Sequence, residues 1–298
     1  MMKRAVSISL GSSRRDKCVE IELLGQRVRL ERIGTDGDFE KAARLFKELD
    51  GFVDAFGAGG TDLGFLVGRK YYPLHSARPI FRFVKKTPLV DGSGLKATLE
   101  GQVVPVMDRE IGSFLTEKKA LLTSGIDRWG LARSFLDGGY RCVFGDFLFA
   151  FGLPLPLHKA KSVTSLAVCL MPVISRLPFR WLYPIGEKQE RRTPKWGRYF
   201  RWAAVIAGDC QYIKRYRPDD LGNKVIVTNS TTAEDRDMFR AAGVKYLITT
   251  TPVLDGRSFG ANLIEAALVA VSGKPLSRDD LSSLIDRIGL KPQIMELN

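Results

Sequence analysis

The pattern of hydrophobic and polar positions changes character near residue 112. Before that point it is mixed. AVSISL (5–10) predicts a strand, and KCVEIELLGQRVRLERIG (17–34) alternates polar and apolar residues on both sides of Gly25-Gln26, as a hairpin does. DFEKAARLFKELDG (38–51) brings Phe39, Ala42, Ala43, Phe46 and Leu49 onto one helical face, opened by Asp38 and closed by Gly51. Next, VDAFGAGGTDLGFLVGRKYYPL (53–74) runs an apolar segment into Gly57, Gly59 and Gly60. A dinucleotide loop needs a helix after its glycines, so that the helix N-terminus can face the pyrophosphate. Here the chain alternates about Gly68 instead, which predicts a second hairpin and makes these glycines a turn.

From about Lys118 the period is different. Five short apolar runs, ALLTSG, RCVFGD, AAVIAGD, KVIVTNS and KYLITTT, each close on small or polar residues. Helical stretches lie between them: LARSFLDGG, then TTAEDRDMFRAAG, where Thr231 and Glu234 read as a capping box, and after the fifth run SFGANLIEAALVAVSG, ending on Gly273. PLSRDDLSSLIDRIGL (275–290) predicts a final helix with Ser277 as its N-cap and Leu281, Leu284, Ile285 and Ile288 on one face. Continuous apolar strands alternating with helices predict a parallel sheet covered on both faces. The fold class is therefore α/β: a mixed α/β N-terminal domain (1–112) that would hold substrate, a Rossmann-like doubly wound domain (113–274), and a C-terminal helix and tail (275–298).

Ligands of such sheets settle outside the carboxyl ends of the strands, where helix N-termini also point. Those ends are Ser124–Gly125, Gly145–Asp146, Gly208–Asp209, Thr228–Asn229–Ser230 and Thr249–Thr250–Thr251. The reading places Ser124, Asp146, Asp209, Asn229 and Thr250 on one rim, with Thr61 and Asp62 facing the same cleft. LLTSGIDRWGLARSFLDGGYRCVFGD (121–146) has the strand, loop and helix order of a nucleotide site, although it lacks a third glycine. Its cofactor-binding candidates are Ser124, Gly125, Asp127, Arg128, Gly130 and Asp146, joined by Thr228, Asn229 and Thr250 from later strand ends. Asp146 stands where a ribose-binding acid is expected; a carboxylate accepts ribose hydroxyls and repels a 2′-phosphate, which favours NAD over NADP.

Composition narrows the partners. Hydrophobic residues make up 45% and charged residues 27%, an ordinary globular balance. The net charge of +13 is concentrated around Arg180, Lys188, Arg191, Arg192, Lys195, Arg198 and Arg201. No nucleic-acid motif accompanies it, so a solvated surface and attraction of a small anionic metabolite are preferred to nucleic acid. The most apolar stretch, Leu166 to Pro184, is broken by Pro172, Arg176, Pro178 and Arg180, which argues against a bilayer span. Cys18, Cys142, Cys169 and Cys210 form no CxxC pair and only His75 and His158 exist, so neither a zinc site nor a His-based triad is expected. Reduced thiols and no signal-peptide core place the expected compartment in the cytoplasm. A homo-oligomer is left open.

GEKQERRTPKWGRYFRWAAVIAGDCQYIKRY, KVIVTNSTT and LDGRSFGANLIEAALVAVSGK resemble bacterial proteins labelled quinate 5-dehydrogenase, and more distantly the shikimate/quinate dehydrogenase family. That resemblance implies a substrate domain ahead of a Rossmann domain, NAD or NADP as cofactor, and a hydroxylated carboxylate as substrate. The family's Asn-x-Thr is similar to Asn229-Ser230-Thr231, and its substrate-touching Gln falls at Glu265, with Asn262 beside it. The family's Ser-x-Ser-Pro becomes SISLGSS here, with Ser7 and Ser9 but no proline, and its Asn-Val-Thr-x-Pro-x-Lys motif has no counterpart.

Alcohol oxidation needs a group to take the hydroxyl proton while hydride leaves. Lys188, Lys195, Lys96, Lys85 and Lys86 are the available lysines, with Asp209, Asp91 and Asp146 as carboxylate partners. Within GEKQERRTPKWGRYF, Glu187 and Lys188 form the preferred acid/base pair, Asp209 is the third catalytic candidate, and Arg191, Arg192 or Lys195 would neutralise a substrate carboxylate. Asp91 and Ser93 from VDGSGL are further substrate-binding candidates. A transferase for another anionic or nucleotide-linked metabolite and a non-enzymatic binding protein stand as alternatives.

Overall fold

The computed structural model describes residues 2–67, 70–177, 192–250, 253–254 and 257–298. Strand β1 (Lys3–Ser9) lies at the centre of a five-stranded sheet. It runs parallel to β3 (Gln26–Gly34) and β4 (Ala55–Gly59), while β2 (Lys17–Leu23) pairs antiparallel with β3 and β7 (Leu89–Val90) closes the far edge beside β4. The β2–β3 turn places Leu24 (φ 53°) and Gly25 (φ 75°) in the left-handed region that a two-residue hairpin loop requires. Helix α1 (Phe39–Leu49) crosses from β3 to β4, and the Asp38 carboxylate accepts the Lys41 amide at its start. Strands β5 (Gly64–Val67) and β6 (Lys70–Pro73) form the second hairpin.

The chain leaves this sheet through helices α2 (Ser93–Gly101) and α3 (Val103–Ile111). Then come β8 (Lys119–Leu122), α4 (Trp129–Asp137), β9 (Arg141–Phe144), α5 (Asp146–Ala150), α6 (Ala160–Ile174), α7 (Gly197–Trp202), β10 (Val205–Ala207), α8 (Cys210–Tyr216), β11 (Val225–Thr228), α9 (Ala233–Ala241) and β12 (Tyr246–Thr249). A short pair, β13 (Val253–Leu254) and β14 (Arg257–Ser258), leads to α10 (Ala261–Ser272), α11 (Arg278–Arg287) and β15 (Gln293–Glu296). The second sheet has the order β15-β12-β11-β10-β8-β9, parallel throughout except for β15.

Alternating side chains explain why both faces of this sheet are covered. Leu121, Ile206, Ile226 and Leu247 point to one face, where Phe200, Ile213 and Phe239 of α7, α8 and α9 meet them. Ala120, Leu122, Val205, Val227 and Ile248 point to the other, against Met107, Leu131 and Phe135 of α3 and α4. The chain winds one way from β8 to β9, then returns past β8 to β10, so the topological switch point lies between β8 and β10.

Three features differ from the sequence expectation. Helix α10, assigned above to the nucleotide-binding domain, packs on the first sheet: Leu263, Ile264, Ala267 and Leu268 meet Ala5, Val28, Leu30 and Ala55, while α1 fills the opposite face with Phe46 against Val6, Ile8 and Phe56. The tail after residue 290 adds β15 to the second sheet, pairing Ile294 with Ile248. The capping box of α9 is Thr232 with Asp235, one residue beyond the expected Thr231 and Glu234.

Candidate functional site

The loop after β4 and the start of α2 face the switch point of the second sheet. Asp91, just before α2, accepts the Leu63 amide at 2.7 Å and the Ser93 amide at 2.9 Å, which ties residues 60–63 to the helix start. Asp62 on that loop meets Lys96 Nζ at 3.2 Å. One helical turn further along α2, Glu100 receives Arg128 Nη1 at 2.6 Å, and Arg128 Nη2 lies 3.7 Å from Asp209, the N-cap of α8. First-sheet and second-sheet residues thus form one charged cluster: Asp62, Lys96, Glu100, Asp127, Arg128 and Asp209.

The environments within the cluster are unequal. Arg128 and Glu100 have side chains only 4% and 2% exposed, a buried ion pair. Burial works against the Arg128 charge, but Glu100, Asp209 and Asp127 outweigh it and hold the guanidinium above its ordinary range. Lys96 is likewise held protonated, chiefly by Asp62. Asp127 is exposed, yet desolvation, followed by Asp62, pushes its carboxyl up to about 6. The Tyr212 phenol, on α8, is pushed up by desolvation and then by Asp209 and Asp127. Ile126 packs beside Tyr72 of β6 and Ala167 and Met171 of α6, so the β5–β6 hairpin and α6 flank the loop.

The second-sheet rim has polar atoms without partners. Thr123 Oγ1, Ser124 Oγ and Asp146 Oδ2 are buried and make no hydrogen bond. Above them Gly208 adopts φ 142°, and a Cβ there would lie 2.2 Å from Thr123 Oγ1. Only glycine lets the backbone pack that close.

A family model described as Domain of unknown function (DUF8754) matches residues 94–297. The chain belongs to that family. A second model, Domain of unknown function (DUF8753), matches residues 4–91, so the boundary between the two falls at the start of α2. No curated protein matches the chain. Similar solved structures include a Mycobacterium smegmatis protein in complex with β-D-fucofuranose (11% identity, 99% of this chain and 91% of that one, TM-score 0.35). The NAD-dependent malic enzyme of Thermotoga maritima is another (12%, 95% and 72%, TM-score 0.38), as is a phosphoglycerate oxidoreductase of Vibrio cholerae (10%, 97% and 98%, TM-score 0.33).

In this family member the residues expected at the site distribute as follows. Arg128 and Asp209 meet in the charged cluster, Asp127 precedes Arg128 in the same loop, and the Ser124 carbonyl accepts the Arg128 amide at 3.2 Å. Gly125 and Gly130 serve packing instead: a methyl on Gly125 would meet the Phe144 ring at 2.6 Å, and one on Gly130 would meet the Ala97 carbonyl at 2.7 Å, where α4 touches α2. Asp146 turns inward. Its Oδ1 accepts the Ile126 amide at 2.8 Å, and burial pushes its carboxyl up to about 6, so the acid expected to meet a ribose clamps the loop from beneath. Thr228 and Thr250 are buried, with Thr228 Oγ1 2.9 Å from the Gly208 carbonyl and Thr250 Oγ1 3.4 Å from the Thr228 carbonyl; they tie strand ends together, with Asn229 alongside.

Of the substrate candidates, Asn262 donates to Ser7 Oγ at 2.6 Å. Glu265 accepts the Leu95 amide at 2.9 Å and caps α2, and burial raises its carboxyl to about 7. Asp91 is committed to two amides, and Ser93 is exposed at the helix start. Lys195 is exposed, and its amide bonds the Tyr216 carbonyl at the end of α8 opposite Asp209. Arg192 pairs with Asp219 nearby. Glu187, Lys188 and Arg191 lie outside the described residues. Sequence reasoning left Lys96 as one lysine among several and missed Glu100 and Tyr212. The signal available was the i,i+4 spacing of Lys96 and Glu100, on the stripe next to the buried Leu95 and Leu99.

Proposed function

We propose that the chain is an NAD(P)-dependent oxidoreductase acting on a hydroxylated carboxylate of the quinate/shikimate type, with Lys96, Asp62 and Asp127 in place of the Lys188–Glu187 pair. The observation that carries the reading is the Lys96–Asp62 contact, set beside an accessible carboxyl raised to about 6 and against the switch-point loop. Asp62 keeps Lys96 cationic, so its ammonium donates to the reacting oxygen of the substrate and stabilises negative charge there. Asp127 takes or returns the hydroxyl proton; a carboxyl poised near neutrality is suited to this, because both protonation states are populated at working pH.

The buried, unpartnered Thr123 and Ser124 hydroxyls, beside Gly208 at the switch point, fit an oxygen-rich group such as the ribose end of a dinucleotide. Ser124, Asp127 and Asp209 would hold it. The bound dinucleotide would supply the hydride acceptor. With Asp146 turned inward, any preference for NAD over NADP rests on Asp127 and Asp209, which face the cleft and repel an added phosphate. The test is absorbance at 340 nm with quinate or shikimate and each nicotinamide. Turnover lost in Lys96→Met supports the reading, and no turnover with any combination ends it.

A second reading, a non-catalytic binding protein for a neutral polyol, draws support from one observation. The Arg128 guanidinium is committed to Glu100 and Asp209, which leaves the loop more acidic than a pyrophosphate site prefers. Thermal stabilisation by polyols and not by nicotinamides would favour it.

A further inference from the structure

The loop after β1 carries a second cluster of charge. A methyl group on Gly11 would lie 2.7 Å from Arg15 Nη2, 3.1 Å from Arg32 Nη2 and 3.3 Å from Ser9 Oγ. Two guanidinium groups and a hydroxyl therefore converge on one position beside the backbone. Arg32 is fixed there: its Nη1 donates to Asp16 at 2.8 Å and to the Ser12 carbonyl at 3.0 Å, and its Nη2 donates to Ser9 Oγ at 3.0 Å. Burial, and after it the Arg15 charge, holds Arg32 below the ordinary arginine range, partly offset by Asp16 and Asp36. Asp36 accepts the Ser13 amide at 2.8 Å. Arg15 is exposed, and no acid pairs with it among the described residues.

The cluster adjoins the candidate site through one short stretch. Leu10 donates its amide to the Gly59 carbonyl at 2.9 Å, and a methyl on Gly60 would lie 3.3 Å from the Gly11 nitrogen. The chain then runs from Gly60 to Leu63, which Asp91 holds, with Asp62 on the way against Lys96. Gly60, which borders the clamp loop, and Asp62, which holds Lys96, are two residues apart in the chain.

We propose that Arg15 and Arg32, with Ser9, form an oxyanion clamp for a carboxylate or phosphate on the ligand whose hydroxyl meets Lys96. The exposed Arg15 guanidinium offers such a group paired N–H donors, and Arg32, whose Nη1 is engaged by Asp16 and Ser12, adds its charge and the remaining Nη2 hydrogen. The clamp itself stands on its own geometry; only the hydroxyl end of the ligand rests on the oxidoreductase reading. It also gives the substrate anion a partner apart from Arg192, which pairs with Asp219.

The test is thermal unfolding in inorganic phosphate and, separately, in acetate at fixed ionic strength, for wild type, Arg15→Ala and the neighbouring Arg14→Ala. Wild type and Arg14→Ala should be stabilised with similar half-saturating concentrations, and Arg15→Ala should need at least tenfold more anion. A response to phosphate alone assigns a phosphorylated ligand; a response to acetate, a carboxylate. Stabilisation of Arg15→Ala equal to wild type, or no stabilisation of wild type by either anion, overturns the clamp. Absence of NAD(P) turnover would remove the oxidoreductase reading while leaving this result to decide the clamp.

Discussion

Replacing Arg128 with methionine should destabilise the protein more than any other single change in the cleft. The substitution leaves Glu100, whose side chain is 2% exposed, without the guanidinium 2.6 Å away. Removing one member of a buried ion pair costs about 3–5 kcal/mol, because the remaining charge stays desolvated. The second partner contributes little to that figure: Asp209 is 3.7 Å from Arg128 and its side chain is 32% exposed, so water takes over. A double variant, Glu100→Leu with Arg128→Met, removes both charges and should recover most of the loss, giving a coupling energy of about 3 kcal/mol. Urea unfolding at pH 7, followed by tryptophan fluorescence and by circular dichroism, measures all four corners of the cycle, and coincident curves license the subtraction. A single-variant loss below about 1 kcal/mol, or a double variant as unstable as the sum of its singles, would refute the buried-pair argument.

Lys96→Met should lower turnover by about 10²–10⁴-fold while leaving the unfolding midpoint close to wild type, and Asp127→Asn should abolish the limb of the pH–rate profile centred near pH 6, both read by steady-state kinetics. Burial raises the carboxyls of Asp146 to about 6 and Glu265 to about 7, above their unfolded values, so the native state binds more protons between about pH 4 and 7 and stability falls as pH rises through that window. Glu265→Gln should remove its share of that fall, of the order of 3 kcal/mol, and flatten unfolding free energy against pH; an unchanged slope contradicts the assignment. Gly208→Ala should cost about 2–5 kcal/mol from backbone strain and the clash with Thr123, whereas Gly101→Ala, with open space around it, should be neutral or stabilising in the same melts.

Much of this architecture is written locally. Asp38 and Ser277 cap helices where their side chains were expected to, and the apolar runs from Leu121 to Ile248 predict a parallel sheet because both of its faces are covered. The switch-point residues Ser124 and Asp209 follow from that order. What stays illegible depends on distant partners. Helix α10 is apolar almost all round, so periodicity cannot say which sheet it will cover. Thr231 and Thr232 each precede an acid by three residues, and tertiary packing chooses the second. The glycines of VDGSGL obscure α2, whose start is stabilised by Glu265, 170 positions away from Leu95. Lys96 finds Asp62 across two turns, and Asp146 faces inward because a loop amide waits there; neither contact leaves a mark on spacing.

The route of the chain has a practical outcome. It passes from one sheet to the other through α2 and α3, returns with α10 and departs again to lay down β15. A fragment of residues 4–91 would lack the helix that shields Ala5, Val28 and Leu30, and should precipitate when expressed alone. Supplied in trans with residues 94–297, it should be captured and solubilised, which would make the natural boundary between the two sequence families a ready-made split point for complementation.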